Sequence, residues 1–384
     1  MTASVPAPEQ DQRLHVLHVS MPTTEGTAVV ALGYIRHQLA RGWRVTLACP
    51  SEGWLGYEAR ELGATVHWWE ATRNPGAGVV AECLALSGVV ADTRAEIVHL
   101  HSAKAGLIGR LVVRRRAPVL YQPHGWSFLA ATGLTRAATL RWERWATTWT
   151  DELICVSEAE RQLGAAAGIR LRASVVPNGV DLAVWQPRDE DDRAAARRRL
   201  GLPATPIAAC VGRLSRQKGQ HDLLAAWPDV RTTVPDAELV LVGDGPDRAA
   251  LERSAGEGQG VRFVGSRSDV GDWLAAANVV VVPSVWEGMA LAPLEAMASA
   301  RSVVATNVTG IVESVPEAAG AIVPPGELGA LAEAVAQRLA HPEDADAEGW
   351  EGRSHVETGH DAASSAKELA RSYLRVLAAR RRGR

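Results

Sequence analysis

The chain is poor in cysteine: Cys49, Cys83, Cys155 and Cys210 are the four in 384 residues, far apart and mostly within apolar runs. A disulfide framework is excluded by that scarcity, and no spacing among them suits zinc, so they read as reduced core residues of a cytoplasmic protein. Long apolar runs are also missing. None approaches the roughly 18 residues of a membrane-spanning helix. Met1 to Arg13 is polar and lacks an apolar h-region, so an unstructured start is expected in place of a secretion signal. Charge of one sign is not in excess: 41 Lys and Arg against 44 Asp and Glu leave a net charge of -3. Nothing there points to nucleic acid as a partner. No short-period repeat is present, which excludes a solenoid.

What is present is an alternation of short β-branched runs with helical stretches, the pattern of parallel sheets covered on both faces. In the first half the spacing predicts strands at His15 to Ser20, Arg44 to Cys49, Thr65 to Trp69, Ile97 to Leu100, Val119 to Gln122, Leu153 to Val156 and Ser174 to Val176. Helices are expected at Thr27 to Ala40, Val79 to Asp92, Ala105 to Arg115 and Glu158 to Ala167. After a polar link, Asp181 to Gly201, strands recur at Ile207 to Val211, Glu238 to Val242, Val261 to Val264, Val279 to Val282, Ser302 to Ala305 and Ala321 to Val323. The fold class is α/β: two doubly wound, Rossmann-like domains facing a central cleft. Residues 1–183 are expected to form the first, 184–360 the second, and 361–384 a final helix.

The stretch Val279 to Val304 carries the most chemistry. A valine run suited to a buried parallel strand leads into the loop Pro283 to Ala292, and Pro293 then fits the first residue of a helix. The loop therefore leaves a strand's carboxyl end, where open α/β sheets bind ligands and a helix N-terminus offers unpaired N–H groups. Glu287 in the loop and Glu295 in the first helical turn, seven residues intervening, can face one ligand from two sides and accept hydrogen bonds from sugar hydroxyls. Upstream, Val211-Gly212-Arg213-Leu214-Ser215-Arg216-Gln217-Lys218-Gly219 puts two cations, Arg213 and Lys218, at another strand's carboxyl end. Fixed cations there stabilise charge growing on a diphosphate leaving group.

These segments resemble the E-x7-E signature and the G-R-x4-K-G turn of glycosyltransferase family 4, retaining enzymes of the GT-B fold. The resemblance covers nearly the whole chain and is strongest from Val211 to Val323. It implies that Glu287 contacts donor-sugar hydroxyls, Glu295 the nucleotide ribose, and Arg213 and Lys218 the diphosphate, with Gly288, Met289, Ala290 and Leu291 lining the donor. It also implies that the final helix, 361–384, returns to the first domain. Two departures stand out. Met289-Ala290 follows Gly288 where the family often has Phe-Gly, and Ala300-Arg301-Ser302 replaces its frequent Gly-x-Pro.

His124, in Gln122-Pro123-His124-Gly125-Trp126 after a strand, stands where the family carries an active-site histidine. Gly26, at the start of the first helix, leaves an N-terminus open to phosphate, in a loop with one glycine where the family commonly has two. Gly310 and Glu313 continue the family pattern in supporting roles, Gly243-Asp244-Gly245 reads as a tight turn, and Asn178-Gly179 as a structural hinge. His99 and His101 share a sheet face, yet no acidic residue completes a metal set with His124. Lys104 beside Gly106 suits helix capping more than a phosphate contact. Trp142, Trp145 and Trp149 recur at helical spacing, a stripe more often core than a lipid-docking face. Two D-x-D triplets, Asp189 to Asp191 and Asp344 to Asp346, lie in polar connections, not after strands, so no metal role is expected of them.

The resemblance thus implies a metal-independent, retaining glycosyltransferase needing no cofactor. It would move a sugar from a nucleotide-diphosphate donor, a UDP-sugar for preference, to the hydroxyl of a glycan, a lipid-linked intermediate or a small metabolite, by front-face displacement. UDP-N-acetylglucosamine, UDP-glucose and GDP-mannose all suit the same glutamates. Arg114 to Arg116 and the basic ending Ala379 to Arg384 leave contact with the inner face of a membrane open. Two alternatives are a sugar-nucleotide epimerase or hydrolase, which needs further acid/base groups near the sugar, and a non-catalytic binding subunit, in which a cation or glutamate should be lost.

Overall fold

The computed structural model describes residues 13–73, 75–256 and 258–382; the polar start expected to be unstructured falls almost wholly outside them. Among the described residues the first-half strands are β1 (His15–Ser20), β2 (Arg44–Cys49), β3 (Thr65–Trp68), β4 (Ile97–His101), β5 (Val119–Gln122), β6 (Glu152–Cys155) and β7 (Ala173–Val175). Their order is β3-β2-β1-β4-β5-β6-β7. The second series is β8 (Ile207–Val211), β9 (Glu238–Val242), β10 (Val261–Gly265), β11 (Val279–Val282), β12 (Ser302–Thr306) and β13 (Gly320–Val323), ordered β10-β9-β8-β11-β12-β13. Each strand lies where the β-branched runs place it, to within one residue at either end. Both sheets carry the doubly wound order, which reverses between β1 and β4 and again between β8 and β11.

By packing, the described chain divides into two compact units. One runs up to Pro123 and includes Trp145–Ile154 and the chain from Glu368 onward; the other comprises His124–Arg144 and Cys155–Lys367. In the second unit all four valines of β11 are buried, because helices cover both faces of a central parallel strand. Each such side chain contributes about 1.5–3 kcal/mol relative to exposure. Leu223, Trp227, Leu239, Leu241, Val281, Val335 and Leu339 pack in the same core. In the first unit Ala28, Ile35, Leu47, Leu55 and Ala59 pack beside β2.

Where the structure departs from expectation, local chemistry explains it. The link Asp181 to Gly201 contains a helix, Glu190–Leu200, opened by a capping box in which Asp189 accepts from Asp192 N–H at 2.9 Å. Acids fill its first turn and Arg197, Arg198 and Arg199 its last, as the helix dipole favours. The first D-x-D triplet therefore begins a helix, and the second lies inside the helix Pro342–Gly359, where Asp346 pairs with Arg193. The helix expected from Ala105 to Arg115 is Ser102–Val113, entered directly from β4 through Ser102 at φ 70. Lys104 does not cap it: the side chain is buried and paired with Glu82 at 2.6 Å, whose carboxylate also accepts from Thr72 N–H. The core reading of the tryptophan stripe holds only in part: Trp142 and Trp149 are half-buried, and Trp145 is not. Trp145 is 55% exposed and meets Trp149 edge-on at 4.4 Å, on a helix, Gly133–Ala146, most of whose residues face solvent. Spacing reveals a stripe but not whether anything covers it.

Candidate functional site

β8 and β11 are hydrogen-bonded neighbours at the reversal of the second sheet, the place at which open α/β sheets bind ligands outside the strands' carboxyl ends. The loop after β8 reaches back under the loop after β11 at Gly219. Its φ is 67, and a Cβ there would stand 1.8 Å from the carbonyl oxygen of Pro283. Only glycine fits, and the register it sets puts Lys218 beside Glu287: Nζ donates to Oε1 at 2.6 Å. Ser284 Oγ donates to the same oxygen at 2.8 Å. Glu287 is 6% exposed, so its pairing is shielded from water, while Lys218 keeps a face open to solvent. Gln217 ties the two loops again, its carbonyl accepting from Val285 N–H and its amide donating to Trp286 O.

The helix after this loop is Leu291–Ala298, with Ala290 as its N-cap at φ -69 and ψ 145. Pro293 is therefore its third residue, not its first, still within the turn whose N–H groups have no helical partner. Glu295, expected in the first turn, is the fifth residue. Its half-buried carboxyl has no hydrogen bond or ion pair among the described residues, and burial pushes its pKa up to about 7, against a smaller lowering by Lys218. Ala290 is in extended backbone, where a methyl group introduces no strain. Ala300 does carry strain: at φ 55 it holds a left-handed conformation, which favours glycine. Met289, Ala290 and Leu291 are buried.

Two further loops of the second unit meet at Gly288. A Cβ on it would lie 2.8 Å from Gly125 N and 3.0 Å from the carbonyl carbon of His124, and a Cβ on Gly310 would lie 1.6 Å from Gly288 O. His124 has φ 54, a strained left-handed conformation, and burial alone drops its imidazole pKa to about 3. It is therefore a neutral ring near pH 7, able to share a hydrogen bond without adding charge. Glu160 holds this loop, accepting from Gly125 N–H at 2.6 Å and Val156 N–H at 2.7 Å. Arg213 follows β8 half-buried, its carbonyl accepting from Gln220. The glycines of Gly243-Asp244-Gly245 lie against Gly212 O and Leu214 O, so that turn supports the Arg213 loop.

Ser157, Glu160 and Ser284 went unread in the sequence, and Asn178 and Glu313, read there as structural, hold the same loops. Asn178, expected as a hinge, donates from Nδ2 to Met289 O at 2.8 Å, and Gly179 lies against the backbone of Asp361 and Ala362 without a tight turn. Ser157 Oγ donates to Gly288 O at 3.3 Å, and Glu313 accepts from Glu158 and Ala159 N–H at the start of the helix Glu158–Ala166. A signal for Glu160 existed, since Ser157-x-x-Glu160 reads as a capping box. Ser284 offered none. Gly26 belongs to the first unit, second in the helix Glu25–Ala40, and Glu25 before it holds φ 62.

If Glu295 accepts donor hydroxyl hydrogen bonds in its ionised form, donor affinity is full above pH 7 and falls as pH drops through 7, up to tenfold per unit. The diphosphate of a nucleotide sugar carries no proton in that range. Calorimetric titration from pH 5.5 to 8.5 should show the slope in the native chain and none in Glu295→Gln; equal slopes in both remove Glu295 from the donor contact.

Two Rossmann-like units with this order define a GT-B glycosyltransferase architecture. The structure of Anabaena HepE in complex with UDP and glucose matches with a TM-score of 0.82 at 20% identity, over 94% of this chain and 99% of that one. Sucrose-phosphate synthase from Thermosynechococcus elongatus matches with 0.81 at 23% identity, over 96% and 100%. Residues 24–184 match the model described as Glycosyltransferase Family 4, and residues 205–341 the one described as Glycosyl transferases group 1. The chain belongs to glycosyltransferase family 4. A GDP-mannose-dependent alpha-(1-6)-phosphatidylinositol monomannoside mannosyltransferase of Mycolicibacterium smegmatis is 31% identical over 82% of this chain and 86% of its own length. A GDP-mannose-dependent mannosyltransferase acting on the monoacylated monomannoside, from Corynebacterium glutamicum, is 34% identical, but this match spans 55% of the chain and 58% of that protein.

Proposed function

We propose that this chain transfers a hexose, with retention and without a catalytic metal, from a UDP-sugar to a hydroxyl of a glycan, a lipid-linked intermediate or a small metabolite. The observation that carries the reading is the Lys218–Glu287 pair at 2.6 Å, held at the switch point by the close approach of Gly219 to Pro283. A cation and a shielded carboxylate side by side suit a ligand that presents a diphosphate next to sugar hydroxyls. On donor entry Lys218 turns to the diphosphate with Arg213, and Glu287 accepts from the sugar hydroxyls. Glu295 takes the ribose, and neutral His124 hydrogen-bonds at the sugar's reacting face. As the anomeric bond breaks, charge builds on the leaving diphosphate; its oxygen accepts the acceptor's proton as the new bond forms on the same face. The D-x-D triplets lie in helices away from strand ends, which favours a reaction whose rate is unchanged by added Mn²⁺.

GDP-mannose is the second reading for the donor, favoured by the mannosyltransferase relatives. A thermal-shift comparison of UDP-glucose, UDP-N-acetylglucosamine and GDP-mannose decides, because saturation at 100 times Kd stabilises the native state by about 2.7 kcal/mol. Free or epimerised sugar formed without any acceptor would favour the epimerase or hydrolase, and no shift with any nucleotide sugar would overturn the reading. Peripheral membrane contact belongs to the same proposal. Trp145 is 55% exposed, and Arg114 lies 5.2 Å from the Trp149 ring. Flotation with vesicles containing phosphatidylglycerol is expected, and to be lost in Trp145→Ala; equal behaviour with neutral vesicles removes the contact.

A further inference from the structure

Within the first unit, β1 and β4 pair in register with His18 opposite His99, and His101 follows two residues on, so three imidazoles share one sheet face at the reversal of strand order. All three are buried, and one nitrogen from each lies within 4.8 Å of the others. The sequence grouped His99 and His101 with His124, but His124 lies in the other unit; strand pairing supplies His18 in its place.

The surroundings orient these rings. His18 Nε2 is 2.9 Å from Gln38 Oε1, a carbonyl oxygen that can only accept, so the proton is on Nε2 and the Nδ1 lone pair points at His101 Nε2, 2.9 Å away. His99 Nδ1 meets the Tyr373 hydroxyl at 2.7 Å, and Gln38 Nε2 donates to the same hydroxyl at 3.4 Å. Tyr34 stacks at 6.2 Å from His99 and 6.4 Å from His101. A metal-bound imidazole typically has its outer nitrogen held by a hydrogen-bond partner, which fixes tautomer and ring plane. Gln38 and Tyr373 stand in that position.

We propose that His18, His99 and His101 form a buried three-histidine site for a divalent transition ion of the zinc and cobalt type. Zinc bonds imidazole nitrogen at about 2.0–2.1 Å, which sets nitrogens about 3.3 Å apart around a tetrahedral ion, so small ring rotations close the site. Imidazole donors suit Zn²⁺, Cu²⁺ and Ni²⁺, whereas Mg²⁺ and Ca²⁺ take oxygen ligands. The site joins β1 and β4 to the helices Glu25–Ala40 and Ala362–Arg382, which supply Gln38 and Tyr373. Its part is structural, and it is independent of the donor-site proposal, whose residues other than Gly26 all belong to the second unit.

The full chain, purified without chelator or affinity-tag metal, should contain about one equivalent of zinc by mass spectrometry of the elements. After dialysis against a chelator, Co²⁺ should restore about one equivalent and produce the visible d–d bands of a nitrogen-ligated tetrahedral centre. His18→Gln should abolish those bands. Because that variant removes a buried ring and risks misfolding, Gln38→Ala serves beside it: all three ligands remain, and Co²⁺ affinity should fall about 10–100-fold. Substoichiometric metal with no Co²⁺ bands, or bands unchanged in both variants, overturns the site. Neither result bears on nucleotide-sugar binding, which the thermal-shift comparison reads separately.

Discussion

Lys218→Ala should lower kcat by about 10²–10³, the loss that follows removal of one group stabilising transition-state charge in a shielded site. The ammonium is the cation placed against Glu287 at 2.6 Å, Gly212 lies along its stem, and the side chain is 23% exposed at the switch point of β8 and β11. Charge on the diphosphate is larger at the transition state than in the bound donor, so the loss belongs in kcat more than in KM. Lys218→Arg keeps the charge but changes its shape and reach, and partial recovery is expected. A rise in KM with kcat unaltered would assign Lys218 to uniform donor binding and remove it from the chemistry.

Glu287→Ala should cut kcat/KM by at least about 10², with the chain still folded. The second effect follows from the first geometry: Glu287 is the shielded acceptor between Ser284 and Lys218, and a sugar hydroxyl that enters replaces one of those donors. Removing the carboxylate leaves Lys218 room to turn to water, since its side chain is 23% exposed, so no buried cation is stranded. Glu287→Gln keeps size and polarity and should remain deficient, which separates charge from packing. Circular dichroism and melting temperature check folding, and the double variant with Lys218→Ala should lose less than the sum of the single losses, because the two residues act as a pair. Near-normal turnover in Glu287→Ala would end the assignment.

Strand positions were legible because a parallel strand buried on both faces is written as an uninterrupted β-branched run, as in Val279 to Val282. One surface helix was not: Glu190–Leu200 is dominated by charge, and its capping by Asp189 and Asp192 was the signal left unused. Glu287, Glu295, Arg213 and Lys218 stood out by residue type at strand ends. Ser284 and the long-range partners of Glu160 and Asn178 did not: Glu160 accepts from Gly125 N–H and Asn178 donates to Met289 O, both remote in sequence, and Ser284 is a loop serine with no local pattern that marks its bond to Glu287. The tryptophan stripe shows the converse: periodicity was real, but exposure depends on what packs against it.

The sequence by itself determined the alternation of strands and helices, hence two Rossmann-like sheets, and the residue types at the strand ends, because local periodicity and the need to bury apolar faces act over a few residues at a time. Tertiary structure alone decided which of those residues touch: that Lys218 meets Glu287, that Gly288 receives Gly125 and Gly310, and that His18 in place of His124 joins His99 and His101. Those contacts rest on strand order and on close backbone approaches at glycine, and both arise only when distant segments pair.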